Sequence, residues 1–557
     1  MLQNRWGKKQ CLVLFAVAGI SLLIRAYTLH AHSGLLESLW LFALCGAWLF
    51  SRLLRGELLP RRFDGLVWSA ALMMAVSTYF YIVFREPGTS PISVSPLAAA
   101  LAALAAYGLL IDTLCRADTE WLWERGETRG PEPRRLLLAG LLFGVILLVQ
   151  YAFFFPYGKS PDTVNQWDQI HGTIPYNTIH AIGHTILLKL LLSLWDSYVF
   201  VVLVQMAAVL LLNLAFVRFF TARGVPFAPV VFALAMGLIW TGAATKAWFV
   251  PWKDTPAALC ICLVTLILAR YLEDGRLSLP RAACLGLLLA GCFVLRLNGI
   301  VALLICGGWA LGAFLKKRQF RQLAAFLLGI ALVIGGVSLY SARVLHPERS
   351  DNGFAIQIFG SAIAAVVHED ELTPEEEQEL EALLPVDWMR ENYGSAVDKR
   401  DLFWRQDASP RIAEDPDLAV FNNEFVIRMG ENRNAVLRLF FRMLPRHFLT
   451  MAKDVLGSMA AVWGQQVLFF AGSHVFWAVF LACFALRKKL DRRDWLVFLP
   501  CICNTVSIMI STATNEMRYL LPTFMLAPFF LLFILLRTKR ETAAPREKGR
   551  EPAEGAA

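Results

Sequence analysis

Apolar runs of about twenty residues, the length that crosses a hydrocarbon core, recur from residue 11 to residue 536, separated by short loops carrying Lys and Arg. A backbone in lipid must satisfy its own hydrogen bonds, so a chain built this way folds as packed helices. Composition agrees, since 57% of the 557 residues are hydrophobic and 17% are charged, too apolar for a soluble multidomain protein. The net charge of +9 does not point to nucleic acid, because the basic residues are dispersed among loops. Eleven cysteines lie nearly all inside apolar runs, which argues against a disulfide framework or a cysteine zinc site.

With the basic loops placed on the cytoplasmic side, the chain threads without contradiction as an all-α polytopic membrane protein of about 14 transmembrane helices. Spans near 11–28, 35–51, 66–84 and 96–115 make residues 1–135 an N-terminal membrane extension of about four helices. A span from Leu136 to Phe155 delivers the polar loop 156–197 to the outside. Within that loop HAIGHTILLKLLLSLW is apolar but short and carries two His and a Lys, so it reads as an amphipathic interfacial helix. Spans near 198–217, 226–245 and 255–271 follow, then a hairpin from Ala282 to Leu315 broken by RLNG, with its tip outward. A span near 323–342 completes the block 136–342.

Residues 343–447 form a small, mainly helical extracytoplasmic domain, in which Thr373, Pro374 and Glu376 spell a capping box. Residues 448–536 hold an interfacial segment and C-terminal spans near 470–486, 495–511 and 519–536. The polar tail 537–557 returns to the cytoplasm and is expected to be disordered.

This threading gathers on one side the polar groups hardest to explain by packing: Asp162, His180, His184, Lys253, Asp254, Arg296, Asn298, Glu516, Arg518 and Tyr519. Arg296 interrupts an apolar run, where an ionised group costs about 2.5–3.5 kcal/mol unless it meets water or a partner. It is either an anion clamp or a side chain snorkelling from a helix end. Lys253 and Asp254, in PWKDTP, suit a mutual ion pair at an interface marked by Trp248 and Trp252, or a grip on phosphate. Asp162, in SPDTVNQWDQ, is placed to take a proton from an attacking hydroxyl, with Asp168 competing for that role and simple solvation the plain alternative. His180 and His184 have i, i+4 spacing, compatible with a shared divalent metal on one helix face or with hydrogen bonds to a ligand. No cofactor is otherwise called for. Walker, dinucleotide and nucleophile-elbow motifs are absent.

SPDTVNQW followed by IPYNTIHAIGHT, then WKDTP, LRLNG, VHEDELTPEEEQEL with VDWMRENYGSAVDK, and MRYLLP run in this order between about residues 136 and 536. The pattern resembles the GT-C class of glycosyltransferases, and more narrowly a bacterial group of GT-C-like membrane proteins. The resemblance implies a GT-C-like core of about seven spans over 136–342, with the catalytic Asp in the first external loop, where Asp162 matches. It further implies a polyprenyl-phosphate sugar donor and inverting transfer on the outer face of the cytoplasmic membrane, with no nucleic acid partner.

Lys253, Arg296 and Arg518 are then expected to meet the donor phosphate. Gln166, His180, His184, Asp254, Asn298, Glu516 and Tyr519 are expected to orient the donor or a glycan, lipid or protein acceptor. The acidic triplet at 415–417 would lie outside, away from nucleotide sugars, and reads as a solvated loop. Thr163 after Asp162 departs from the Asp-Glu pair of protein mannosyltransferases. The alternatives are a transporter or flippase of lipid-linked glycans, for which no internal duplication is evident, and a glycan polymer ligase.

Overall fold

The computed structural model describes residues 65–85, 131–348, 356–405, 423–464, 474–511 and 517–543, together with residues 101, 104, 108 and 111. The expected spans near 11–28 and 35–51, most of that near 96–115, the triplet at 415–417, Glu516 and the tail beyond 543 lie outside the described residues.

Among the described residues every named element is helical, and one isolated bridge pairs Asn177 with Glu348. The order is α1 (Gly65–Arg85), α2 (Pro133–Ala152), α3 (Pro161–His171), α4 (Ile182–Leu192), α5 (Tyr198–Thr221) and α6 (Phe227–Thr245). Next come α7 (Asp254–Asp274), α8 (Leu279–Leu295), α9 (Ile300–Lys316) and α10 (Phe320–Tyr340). A helical domain contains α11 (Gln357–Glu369), α12 (Pro374–Leu383), α13 (Val386–Asn392), α14 (Arg400–Trp404), α15 (Glu424–Glu431), α16 (Arg433–Met443) and α17 (Phe448–Gly464). The chain closes with α18 (His474–Arg487), α19 (Leu499–Ser511) and α20 (Leu521–Ala543).

Seven helical stretches are long and apolar enough to cross a membrane: Pro133–Ala152, Tyr198–Thr221, Asp254–Asp274, Leu297–Lys316, Phe320–Leu345, Arg492–Ser511 and Arg518–Arg537. Apolar segments in α1, α6, α8 and α18 are shorter than that measure, as is α4. With 11 residues, α4 rises too little to span a bilayer. The helix expected to stop at 536 instead continues to Ala543, so the first residues assigned to the tail are ordered helix.

The two ends of the bundle carry different chemistry. At one end Arg537 donates to Asp494 Oδ2 at 2.8 Å and to Glu273 Oε1 at 3.1 Å, while Arg223 lies 3.5 Å from the other oxygen of Glu273. These contacts join the C-terminal ends of α7 and α20 to the α5–α6 turn and the turn before α19. The opposite ends of the same helices hold the candidate site.

The helical domain has its own apolar core, including Ile363, Val366, Leu380, Phe403, Phe425 and Leu439. At its centre Asp454 accepts from Tyr393 Oη at 2.7 Å and from Ser361 Oγ at 2.8 Å, and pairs with Lys399 at 2.8 Å. Since Asp454 belongs to α17, that helix is part of this packed unit, although the sequence set it apart as interfacial. Thr373 and Glu376 form the expected capping box on α12.

Gly183 sits in the first turn of α4, where a Cβ would collide with the carbonyl of Val294 on α8. Gly183→Ala is therefore expected to cost about 1–3 kcal/mol through overpacking, read as a lower melting temperature of the purified protein. Gly308→Ala, inside α9 at a position open to added volume, is the control and should not lower the melting temperature, since Ala favours a helix over Gly by up to about 1 kcal/mol.

Candidate functional site

Asp162 owes its position to local sequence. Ser160 caps α3, its Oγ accepting from Thr163 N at 3.3 Å while Thr163 Oγ1 accepts from Ser160 N at 2.9 Å, and Pro161 starts the helix. Asp162 thus falls in the first turn, where the helix dipole favours a negative charge. Gly172, with φ 76°, ends the helix in the left-handed region. Tyr198 Oη donates to the Thr163 carbonyl at 2.7 Å, fixing α3 against α5.

Three other breaks between helices converge on this turn. After α6 the chain reverses through Lys246, with φ 55°, and a tight turn at 247–249, which delivers Lys253 and Asp254 at the start of α7. Arg296 leaves α8 in an extended conformation before the short turn 297–299. Arg518 and Tyr519 lie in the turn 517–520 that opens into α20.

The side chains form a ladder of alternating charge. Arg296 pairs with Asp254 Oδ1, and Arg518 lies 3.9 Å from Asp254 Oδ2 and 3.5 Å from Asp162 Oδ2. Lys253 Nζ donates to Asp162 Oδ2 at 3.2 Å and to His180 Nδ1 at 3.1 Å. An ammonium only donates, so Nδ1 of His180 accepts and the neutral ring carries its proton on Nε2. The ladder is well shielded, the Asp254 side chain being 1% exposed and that of Arg518 7%, whereas Lys253 at 21% is its more open end. Aromatic faces back the guanidiniums: Arg296 lies 4.5 Å from the Tyr519 ring, and Arg518 lies 4.6 Å from Trp252 and 5.4 Å from Tyr519.

Burial alone would raise the Asp162 carboxyl, but Lys253, Arg518 and His180 together hold it well below the usual carboxylate range. Burial and the neighbouring Lys253 push His180 down to about 3, and burial, Lys253 and His180 do the same to His184. Both imidazoles are therefore neutral near neutral pH.

The ladder brings together Asp162, His180, Lys253, Asp254, Arg296, Arg518 and Tyr519. Other expected site residues take different parts. Gln166 donates to Thr185 Oγ1 at 3.1 Å and accepts from His184 Nδ1 at 3.0 Å, a buried layer behind the ladder. Asn298 donates to Ser511 Oγ at 2.9 Å and its carbonyl accepts from Ser507 Oγ at 2.9 Å, so it pins the 297–299 turn to α19. The competing Asp168 lies further along α3, where its charge is felt by His171 and Tyr198.

His180 and His184 do not stack on one helix face as their i, i+4 spacing predicts, because His180 precedes Ala181, the residue that caps α4, and only His184 is on the helix. No group of three or more His, Cys, Asp or Glu placed to hold a metal occurs among the described residues. Trp252, expected only as an interface anchor, instead donates its indole N–H to Ser160 Oγ at 2.8 Å and lies against Arg518. Its place between Pro251 and Lys253 was the available signal.

No family model, curated protein or solved structure matches the chain.

Proposed function

We propose that this protein is a membrane-embedded glycosyltransferase, transferring a hexosyl or pentosyl group from a polyprenyl-phosphate donor to an acceptor hydroxyl on the extracytoplasmic face, with inversion and with Asp162 as general base. The observation that carries this reading is the ladder itself. A first-turn carboxylate faces two of three cations drawn from separate helix ends, at the edge of a bundle with helices long enough to span a bilayer.

A lipid-linked donor entering from the bilayer places its phosphate near Lys253, Arg296 and Arg518. Charge grows on that phosphate as the anomeric bond breaks, and fixed cations in a shielded site stabilise it without reorganising. His180 and Tyr519 line the same region and orient donor or acceptor, with His184 supporting them from the buried layer behind through Gln166. The opposite end of the bundle carries Arg218, Arg223, Arg281 and Lys316, which supports placing it in the cytoplasm and the site outside, in a chain of about 14 spans.

Arg296→Ala and Lys253→Ala are each expected to weaken binding of a polyprenyl-phosphate sugar by about 10–100-fold, the range for losing a hydrogen bond to a charged group. Arg296→Lys should recover only part of that loss, because an ammonium cannot present the two-pronged guanidinium fork. Affinity measured on purified variants matched for melting temperature checks this. Parent-like binding by both Ala variants would contradict the phosphate-clamp reading.

A further inference from the structure

The carboxylate assigned as base is held by two of the cations assigned to the donor phosphate. Lys253 lies 3.2 Å and Arg518 3.5 Å from the same oxygen of Asp162. A carboxylate held this way is a weak proton acceptor, because both cations favour its charged form. The contacts are also replaceable. Arg518 straddles Asp162 and Asp254 at 3.5 and 3.9 Å, wider than the about 2.7–2.9 Å of charge-assisted hydrogen bonds such as phosphate oxygens make with a guanidinium.

The two carboxylates are not equivalent. Asp254 keeps Arg296 as a partner when Arg518 turns away, whereas Lys253 and Arg518 are the only cations paired with Asp162 among the described residues. Displacing Arg518 and Lys253 therefore acts mainly on Asp162. The other titratable groups that feel its charge are His180 and His184, beside and on α4, while Asp254 and Tyr519 reach it through Arg518.

We propose that Lys253 and Arg518 mask Asp162 until a donor phosphate draws both cations to itself, so that donor entry unmasks the base and precedes activation of the acceptor. This rests on the reading of the site as a polyprenyl-phosphate sugar transferase. The exchange needs no co-reactant, since the singly charged phosphodiester takes the place of the carboxylate beside the cations. In the transfer that follows, the acceptor hydroxyl proton goes to Asp162 and its oxygen bonds to the anomeric carbon. The bond from that carbon to the phosphate oxygen breaks, its electron pair leaving on the phosphate among the gathered cations. Without donor the protein presents no competent base.

The test uses the full-length protein in nanodiscs and, as probe, a methyl polyprenyl phosphodiester, which has no second acidic proton and so keeps its single charge across the range titrated. Asp162→Asn should bind the probe about tenfold more tightly than the parent, because the amide no longer competes for Lys253 and Arg518. Asp168→Asn, the same charge change outside the ladder, should bind like the parent. In the parent, release from the cations raises the Asp162 pKa in the complex above its value in the free protein, so the complex takes up a proton. Affinity should then be flat near neutrality and rise below about pH 5, and this readout does not depend on any variant folding. Equal or weaker binding by Asp162→Asn, or a flat parent profile, overturns masking while leaving the donor site in place. No binding by the parent or by any variant removes the donor reading itself, and masking with it.

Discussion

Asp162→Asn is expected to lower sugar transfer by about 10²–10⁴-fold, the contribution typical of a positioned general base. The substitution keeps the shape of the side chain, and its neutral amide no longer holds Lys253, now 3.2 Å from the carboxylate, as a charged partner. It removes the negative charge that takes the proton. Donor affinity is not expected to fall, so the loss should sit in the rate at saturating donor and not in donor binding, a pattern distinct from that of Arg296→Ala. Single-turnover transfer from a labelled polyprenyl-phosphate sugar, with membranes as the source of acceptor, provides the measurement. Parent-like turnover in Asp162→Asn would move the base elsewhere.

The largest expected loss of stability comes from the helical domain. Lys399 and Asp454 pair at 2.8 Å with both side chains 0% exposed, and Asp454 also accepts from Tyr393 and Ser361. Lys399→Met leaves a buried carboxylate without its counter-charge, which costs about 3–5 kcal/mol. Lys399→Met/Asp454→Leu should recover part of the loss, because the unpaired charge, more than the missing pair, sets the cost. Thermal unfolding and protease sensitivity of residues 356–464 report both. A single variant that melts like the parent would contradict the account of this core. Transfer should fall too, since Gln357 at the start of α11 donates to the Ser511 carbonyl at 3.2 Å, and Ser511 holds Asn298 beside the site.

Much of this arrangement was legible because it depends on neighbours in sequence. Ser160, Pro161 and Thr163 encode the cap that presents Asp162, Thr373 and Glu376 encode the start of α12, and RLNG in an apolar run marks the break that carries Arg296. The short length and polar residues of 182–192 separated α4 from the spanning helices.

The remainder depends on partners distant in the chain. Asn298 reads as a ligand-facing amide until Ser511, 213 residues away, is seen to hold it. Trp252 suits a bilayer interface by composition, and only its 2.8 Å bond to Ser160, 92 residues away, places it in the site. His180 and His184 have helical spacing, but α4 begins between them. Lys399 lies in the domain read as extracytoplasmic, and its burial follows from Asp454 in a segment read as interfacial.

The most direct test of the central claim is the identity of the lipid retained by the purified protein, read by native mass spectrometry after gentle extraction. The account predicts a polyprenyl phosphate or its sugar adduct, depleted in Arg518→Ala, since that guanidinium reaches both Asp162 and Asp254. Retention of ordinary phospholipids alone, identical in parent and variant and unchanged after incubation with added polyprenyl phosphate, would contradict it.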